Sequence, residues 1–243
     1  LEDIGEYLSE KDLEIFIEPA RDGIQEDNSI IGIPYMVGWY ALMLNSELQE
    51  EELYENQYQA KEMDWASLNR FVEETSKENF GFVSYNESYS KPIYCVDVPQ
   101  INRWTQEGKA PEGVKEMTYS EAWQIFGVQG EAGVFLGPTR AIYDMRARQD
   151  RGVGFEMKAI PIPALDNIQL DQVGIYGILR QDNEYKKKIC LEFLIELIQD
   201  DIQSSLDEIG MFSVRSDIQD IYKDDVDMRR LEEQLNSLYK YEK

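Results

Sequence analysis

The chain has no histidine among its 243 residues. That removes the commonest general base, the commonest metal ligand and every Ser-His or Cys-His nucleophile pair. Carboxylates are abundant, with 48 Asp and Glu against 24 Lys and Arg. An acid–base pair of the glycosidase kind could therefore be drawn between many positions, and no pair stands out. There is no Walker A lysine loop, no G-x-S-x-G elbow and no zinc spacing. Asp224, Asp225 and Asp227 lack the spacing of an EF-hand loop and read as a solvated acidic turn. Neither catalysis nor a metal or organic cofactor is expected. What remains is non-covalent recognition. Tyr35, Trp39 and Tyr40 lie within six positions of one another beside Gly38, and aromatic faces of this kind can wall a small-molecule site. For each of the three, a place in the core is the competing reading.

The elements that must position these side chains centre on residues 30–45. Ile30 to Ile33 reads as a short apolar strand, broken at Pro34, and a second strand runs from about Trp39 to Leu44. Proline gives no N–H to a ladder, so Pro34 is expected at a strand end or a crossing between sheets. Upstream, residues 1–27 read as one or two short helices, with Asp27-Asn28-Ser29 as the turn into the strand. Downstream, residues 46–63 are polar and acidic and read as a loop or exposed helix. Asp64 is placed to cap a helix carrying Trp65, Leu68, Phe71 and Val72 on one face. Phe80–Tyr85 reads as a strand, and a helix is expected near 100–107. Thr118 or Ser120 can cap a helix with Ala122, Ile125 and Phe126 on its apolar face, and Gly130 should stop it. A buried strand at 133–136, a turn at Gly137-Pro138 and a helix over 139–149 follow. Phe155–Leu165 alternates like a strand, and Gly174–Leu179 reads as another. A long helix over 186–199 is expected to bury Ile189, Cys190, Phe193, Leu194, Leu197 and Ile198, and residues 217–243 read as helical.

Composition sets the outer bounds. At 42% hydrophobic and 12% aromatic residues, the chain can bury one large or two small cores. The net charge of −24 argues against nucleic acid and against an anionic membrane surface as partners, and favours neutral over anionic ligands. Cys95 and Cys190 sit among apolar residues and read as buried thiols rather than as a disulfide framework. No apolar run approaches the roughly 20 residues of a membrane span. The chain opens at Leu1 without a signal-peptide pattern, as if inside a larger reading frame.

Three stretches, in order, carry a resemblance. Gly32-Ile33-Pro34-Tyr35 followed by Ala41-Leu42-Met43-Leu44-Asn45 is the first. Phe126, Gly130, Glu131-Ala132-Gly133-Val134 and Gly137-Pro138 are the second. The segments Asp201-Ile202-Gln203 and Gly210-Met211-Phe212-Ser213-Val214-Arg215 are the third. Together they resemble the extracellular solute-binding proteins of family 1, the sugar-binding components of ABC importers. Departures are Leu44-Asn45-Ser46-Glu47 where Tyr-Asn-Lys-Asp is usual, Ser213 where a proline is usual, and few helices between 86 and 98.

The resemblance implies an α/β, periplasmic-binding-protein-like type II fold, two lobes joined by a hinge. The first lobe would be an incomplete remnant, residues 1–34 with 171–212, because members begin about a third of their length earlier. The second would be 38–165 with 213–243, and the hinges would lie near 34–38 and 160–170. It also implies an extracellular protein, periplasmic or a membrane-anchored lipoprotein. That protein would be a monomer binding a mono- or oligosaccharide and handing it to ABC permease subunits. The implied ligand-binding residues are Tyr35, Gly38, Trp39, Tyr40, Thr139, Arg140 and Tyr176. Thr139 stands where relatives often place a stacking aromatic. Arg140 could bind hydroxyls or a carboxylate, or be a solvated or salt-bridged arginine. The rival expectation is a degenerate member that no longer transports and acts as an interaction or sensory module at the cell surface.

Overall fold

The computed structural model describes residues 1–48, 64–76, 78–163 and 170–239. The loop or exposed helix expected over 46–63 begins as a 3-10 turn at Ser46–Leu48 and otherwise falls outside them, as does most of the expected hinge near 160–170. Residues 1–38 and 172–243 form one compact unit, and residues 39–171 form another. Residues 213–243, expected with the second lobe, belong to the first unit instead. Two contacts explain this. The Ile17 N–H donates to the Val214 carbonyl at 2.8 Å, and the Tyr222 hydroxyl donates to the Met211 carbonyl at 2.7 Å.

In the first unit, the short helices α1 (Glu10–Glu14) and α2 (Glu18–Gly23) precede a two-residue hairpin. Its strands, β1 (Gln25–Glu26) and β2 (Ser29–Ile30), turn at Asp27 and Asn28, with Asp27 at φ 55°. The strand β3 (Ile33–Gly38) follows and pairs antiparallel with β8 (Gln172–Tyr176). Pro34 therefore lies inside a strand, not at the end of one. The ladder accommodates it through a register shift between Pro34 and Met36, where a missing N–H does least harm. The helices α7 (Glu184–Glu196), α8 (Asp200–Ser204) and α9 (Val226–Tyr239) complete the unit. Its core gathers Ile4, Phe16, Ile17, Val37, Phe212, Leu231 and Leu235, all buried. Asp225 Oδ1 accepts the Met228 N–H at the start of α9, so this residue of the acidic turn is a helix cap.

A buried glutamine ties the third resembling stretch together. Gln203 Nε2 donates to the carbonyls of Tyr35 and Leu197, at 2.8 and 2.9 Å. Its Oε1 accepts the Ser213 hydroxyl at 2.7 Å and the Val214 N–H at 3.1 Å. Ser213, a departure from the family pattern, thus supplies a donor that a proline lacks.

On α7 the expected burial pattern is corrected. Leu191, Leu194 and Ile198 are buried, whereas Ile189, Phe193 and Cys190 are exposed. The helix is apolar around much of its circumference, so spacing alone does not say which side is covered. Cys95 is buried as expected, and no disulfide links the two cysteines.

The second unit is built on a four-stranded sheet in the order β5 (Phe80–Val83), β6 (Ala132–Pro138), β4 (Tyr40–Asn45), β7 (Met157–Ile160). β5 and β6 are parallel and the other pairs antiparallel. Every residue of β4 and β6 is buried, which is why both read as continuous apolar runs. Leu42, Leu44, Val134 and Leu136 share a cluster with Leu68, Phe71 and Val72 of α3 (Trp65–Glu74) and Ile101 and Trp104 of α4 (Val98–Gln106). Asp64 Oδ1 caps α3 through the Ser67 N–H at 2.7 Å.

The helix α5 (Tyr119–Trp123) opens with a capping box, the Thr118 hydroxyl accepting from Glu121 N–H while the Glu121 carboxylate accepts from Thr118 N–H. Wider turns continue it over 124–129, and Gly130 ends it at φ +70°, a left-handed conformation suited to glycine. Asn45 Nδ2 donates to the Gly130 carbonyl at 3.2 Å, so the asparagine of the first resembling stretch is bonded to the glycine of the second. The helix α6 (Arg140–Gln149) leaves the end of β6.

Candidate ligand-binding site

The residues singled out from the sequence fall into two sets, one in each unit. In the first unit, Tyr35 and Tyr176 come together from strands far apart in the chain. Their rings stack with centroids 4.6 Å apart and planes 16° from parallel. The β3 irregularity at Pro34–Met36 leaves Tyr35 outside the regular pairing. Gly174, opposite Met36, makes the room. A Cβ there would lie 2.7 Å from Tyr35 Cε1 and 2.9 Å from Met36 Cγ. Tyr35 is half-buried, and burial followed by its tyrosine neighbour raises its pKa. Tyr176 is 48% exposed, so this pair offers a solvent-facing aromatic surface. Gly38 is buried at the end of β3, paired with Gln172.

In the second unit, Trp39 and Tyr40 are both buried, at 0% and 2% exposure. The Trp39 carbonyl accepts the Thr139 N–H at 2.8 Å, which brings these two residues together through backbone alone; Thr139 is itself buried. Tyr40 belongs to a polar network that sequence reading did not foresee. Its hydroxyl lies 3.1 Å from Ser90 Oγ and accepts the Lys91 N–H at 2.9 Å. Tyr85 places its hydroxyl 2.6 Å from the same Ser90 Oγ. Ser90 in turn donates to Asp171 Oδ1 at 2.6 Å. Tyr40, Tyr85, Ser90 and Asp171 are all buried.

Arg140 is half-buried beside this network, its guanidinium 5.4 Å from the centre of the Tyr119 ring. Tyr119 lies parallel to Trp123 one helical turn on, at 6.2 Å, and edge-on to Tyr85 at 5.4 Å. The Tyr119 hydroxyl donates to Asp144 Oδ2 at 3.2 Å. Burial pushes the Tyr40 phenol up to about 12. Burial likewise raises Tyr85 and Tyr119, so all three hydroxyls keep their protons at neutral pH. Burial also raises the Asp171 carboxyl, opposed by the Ser90 hydrogen bond and the Arg140 charge. Chemically, the arrangement combines aromatic faces with a guanidinium and a carboxylate, groups that recognise a polar, ring-bearing small molecule.

The additions to the sequence-derived set are Tyr85, Ser90, Tyr119, Trp123 and Asp171. The i, i+4 spacing of Tyr119 and Trp123 on one helix was a readable signal. Ser90 and Asp171 carried none, since serines and aspartates are common and their juxtaposition spans 81 positions. Among the described residues no group of three or more His, Cys, Asp or Glu is arranged to hold a metal ion. No helix among them is long and apolar enough to cross a membrane.

No protein-family model and no curated protein sequence matches the chain. Solved structures do. The sugar-binding protein MalE from the phytopathogen Xanthomonas citri superposes with a TM-score of 0.70 at 16% identity, covering 97% of this chain and 67% of its own. Maltose-bound MalE3 of T. maritima gives 0.68 at 17% identity, over 95% and 67%. The ABC substrate-binding protein Lmo0181 from Listeria monocytogenes, in complex with cycloalternan, gives 0.66 at 14% identity, over 98% and 68%. The fold is thus the mixed α/β fold of MalE-like periplasmic binding proteins, and the chain spans about two thirds of the length of these neighbours.

Proposed function

We propose that this chain is the substrate-binding part of an ABC importer and that its ligand is a carbohydrate. The observation that carries the reading is the fold: sugar-binding proteins superpose on 95% or more of the chain in each of the three comparisons above. The site chemistry supports it. Within the first unit the stacked, solvent-facing Tyr35–Tyr176 pair suits the apolar face of a sugar ring, and within the second, taken by itself, the Arg140 guanidinium and the Asp171 carboxylate suit hydroxyl groups. The protein works as a monomer outside the cytoplasm, delivers its ligand to membrane permease subunits, and performs no covalent chemistry.

Isothermal titration of the chain with maltose, maltotriose, maltotetraose and chito-oligosaccharides tests this. One class should bind with a Kd of about 1 μM, near −8 kcal/mol. At a hundredfold excess over Kd that ligand should stabilise the fold by about 2.7 kcal/mol. Tyr176→Ala, which removes an exposed ring, should weaken binding about tenfold while leaving the melting temperature within about 2 °C. A cooperatively melting chain that takes up no saccharide would refute the reading.

A further inference from the structure

Asp171 is satisfied on one side only. Oδ1 accepts the Ser90 hydroxyl at 2.6 Å, whereas Oδ2 has no hydrogen-bond partner among the described residues, although the residue is only 4% exposed. Counting protons explains how unusual this is. Ser90 has a single hydroxyl hydrogen and gives it to Asp171. The Tyr40 and Tyr85 hydroxyls, both within 3.1 Å of Ser90 Oγ, must then act as donors to it. The Lys91 N–H in turn donates to Tyr40. Every hydrogen in the chain of bonds is directed toward the Asp171 carboxylate, and Oδ2 is the acceptor left over. A buried carboxylate oxygen without a donor is costly, and native proteins seldom keep one without a use.

The surroundings indicate what the use is. Arg140, whose charge acts on Asp171, is half-buried, and Tyr89, next in the chain to the Ser90 that bonds Asp171, is 75% exposed, so exposed surface begins one residue from this network. Tyr119, half-buried under the Arg140 guanidinium, contributes an aromatic face beside it. We infer that Asp171 Oδ2 receives a hydroxyl hydrogen from the bound ligand, making Asp171 the residue that selects neutral, hydroxyl-bearing ligands over anionic ones. Ser90, Tyr40 and Tyr85 hold the carboxylate in place for this contact, and Arg140 offsets its charge. The inference rests on the carbohydrate reading above, and it adds a specificity: a uronate-bearing saccharide would bring its carboxylate toward a buried one and be rejected.

The test uses the full chain and the best-binding saccharide of the panel, titrated in about 0.5 M NaCl, where the Debye length is about 4 Å and the general negative field is screened. Asp171→Asn keeps an oxygen for the Ser90 hydroxyl and replaces Oδ2 by an N–H donor. Its affinity should fall about tenfold or more, while its melting temperature should hold or rise because a buried charge has been removed. In the wild type, the same saccharide oxidised to its uronate should bind at least tenfold more weakly than the neutral form. That second measurement does not depend on the variant folding. Binding by Asp171→Asn within about twofold of the wild type, or equal binding of the uronate by the wild type, would overturn the inference and leave the carbohydrate reading standing. Failure of the wild type to bind any saccharide overturns both.

Discussion

Asp171 also gives the protein a distinctive response to acid. Burial holds its carboxyl above the ordinary value of 3.8. Between 3.8 and that raised value the folded chain keeps a proton that the unfolded chain has lost. Its contribution to stability is therefore fully present below 3.8 and is lost as pH rises through the raised value. Asp12, Asp64 and Glu121 behave oppositely. Hydrogen bonds from Ser9, Ser67 and Thr118 hold them below their ordinary values, so their contribution is lost as pH falls. Urea unfolding between pH 3.5 and 7 should show wild type losing stability relative to Asp171→Asn as pH rises, with the difference levelling off at the acid end. A difference independent of pH would mean that Asp171 is not held protonated by the fold. This residue was not legible in the sequence, and neither was the stacking of Tyr35 on Tyr176. Both depend on positions that only tertiary structure brings together: a strand irregularity next to Pro34 in one case, an 81-residue separation in the other. The sequence points to the Tyr40 ring, whereas in the fold its hydroxyl does the bonding.

Elements were more readily read than residues, because caps and periodicity act locally. The capping residue of α3 and the Gly130 stop follow from short-range chemistry, whereas Gly137 and Pro138, expected as a turn, are the last two residues of β6, paired with Ala41 and Tyr40, because pairing with β4 carries the strand on to the start of α6. Thr118 is a direct check. Thr118→Ala removes the hydroxyl half of the capping box on α5 and should lower the unfolding free energy by about 1 kcal/mol, read as an earlier urea midpoint at unchanged slope, with Thr118→Ser restoring most of it. An unchanged midpoint in the alanine variant would show that packing alone holds this helix start. What failed at this scale was α7. Its apolar residues surround the helix, and deciding that Phe193 is exposed while Leu194 is buried needs knowledge of what lies alongside. Strand β3 failed for a related reason: proline is disfavoured in a ladder in general, but a local irregularity accommodates this one.

For the molecule as a whole, charge is the dominant property. A net charge of −24 opposes compaction, and salt weakens that repulsion. Raising NaCl from about 20 mM to 0.5 M should stabilise the chain by about 1–2 kcal/mol, or about 3–6 °C in melting temperature. A decrease would indicate that ion pairs such as Arg215 with Asp200 and Asp217, both at 2.7 Å, outweigh the repulsion.

The division of the chain into residues 39–171 and the two flanking segments has a consequence for biosynthesis. The inner unit is a single run of polypeptide, so its sheet and core can be assembled as soon as Asp171 has left the ribosome. The outer unit cannot. Strand β3 is made early but finds β8 only after the whole inner unit has emerged, and Val37 must wait longer still for Phe212. Strand β3 and Val37 therefore wait for partners that emerge after residues 39–171, and the core of the outer unit is completed later than that of the inner one.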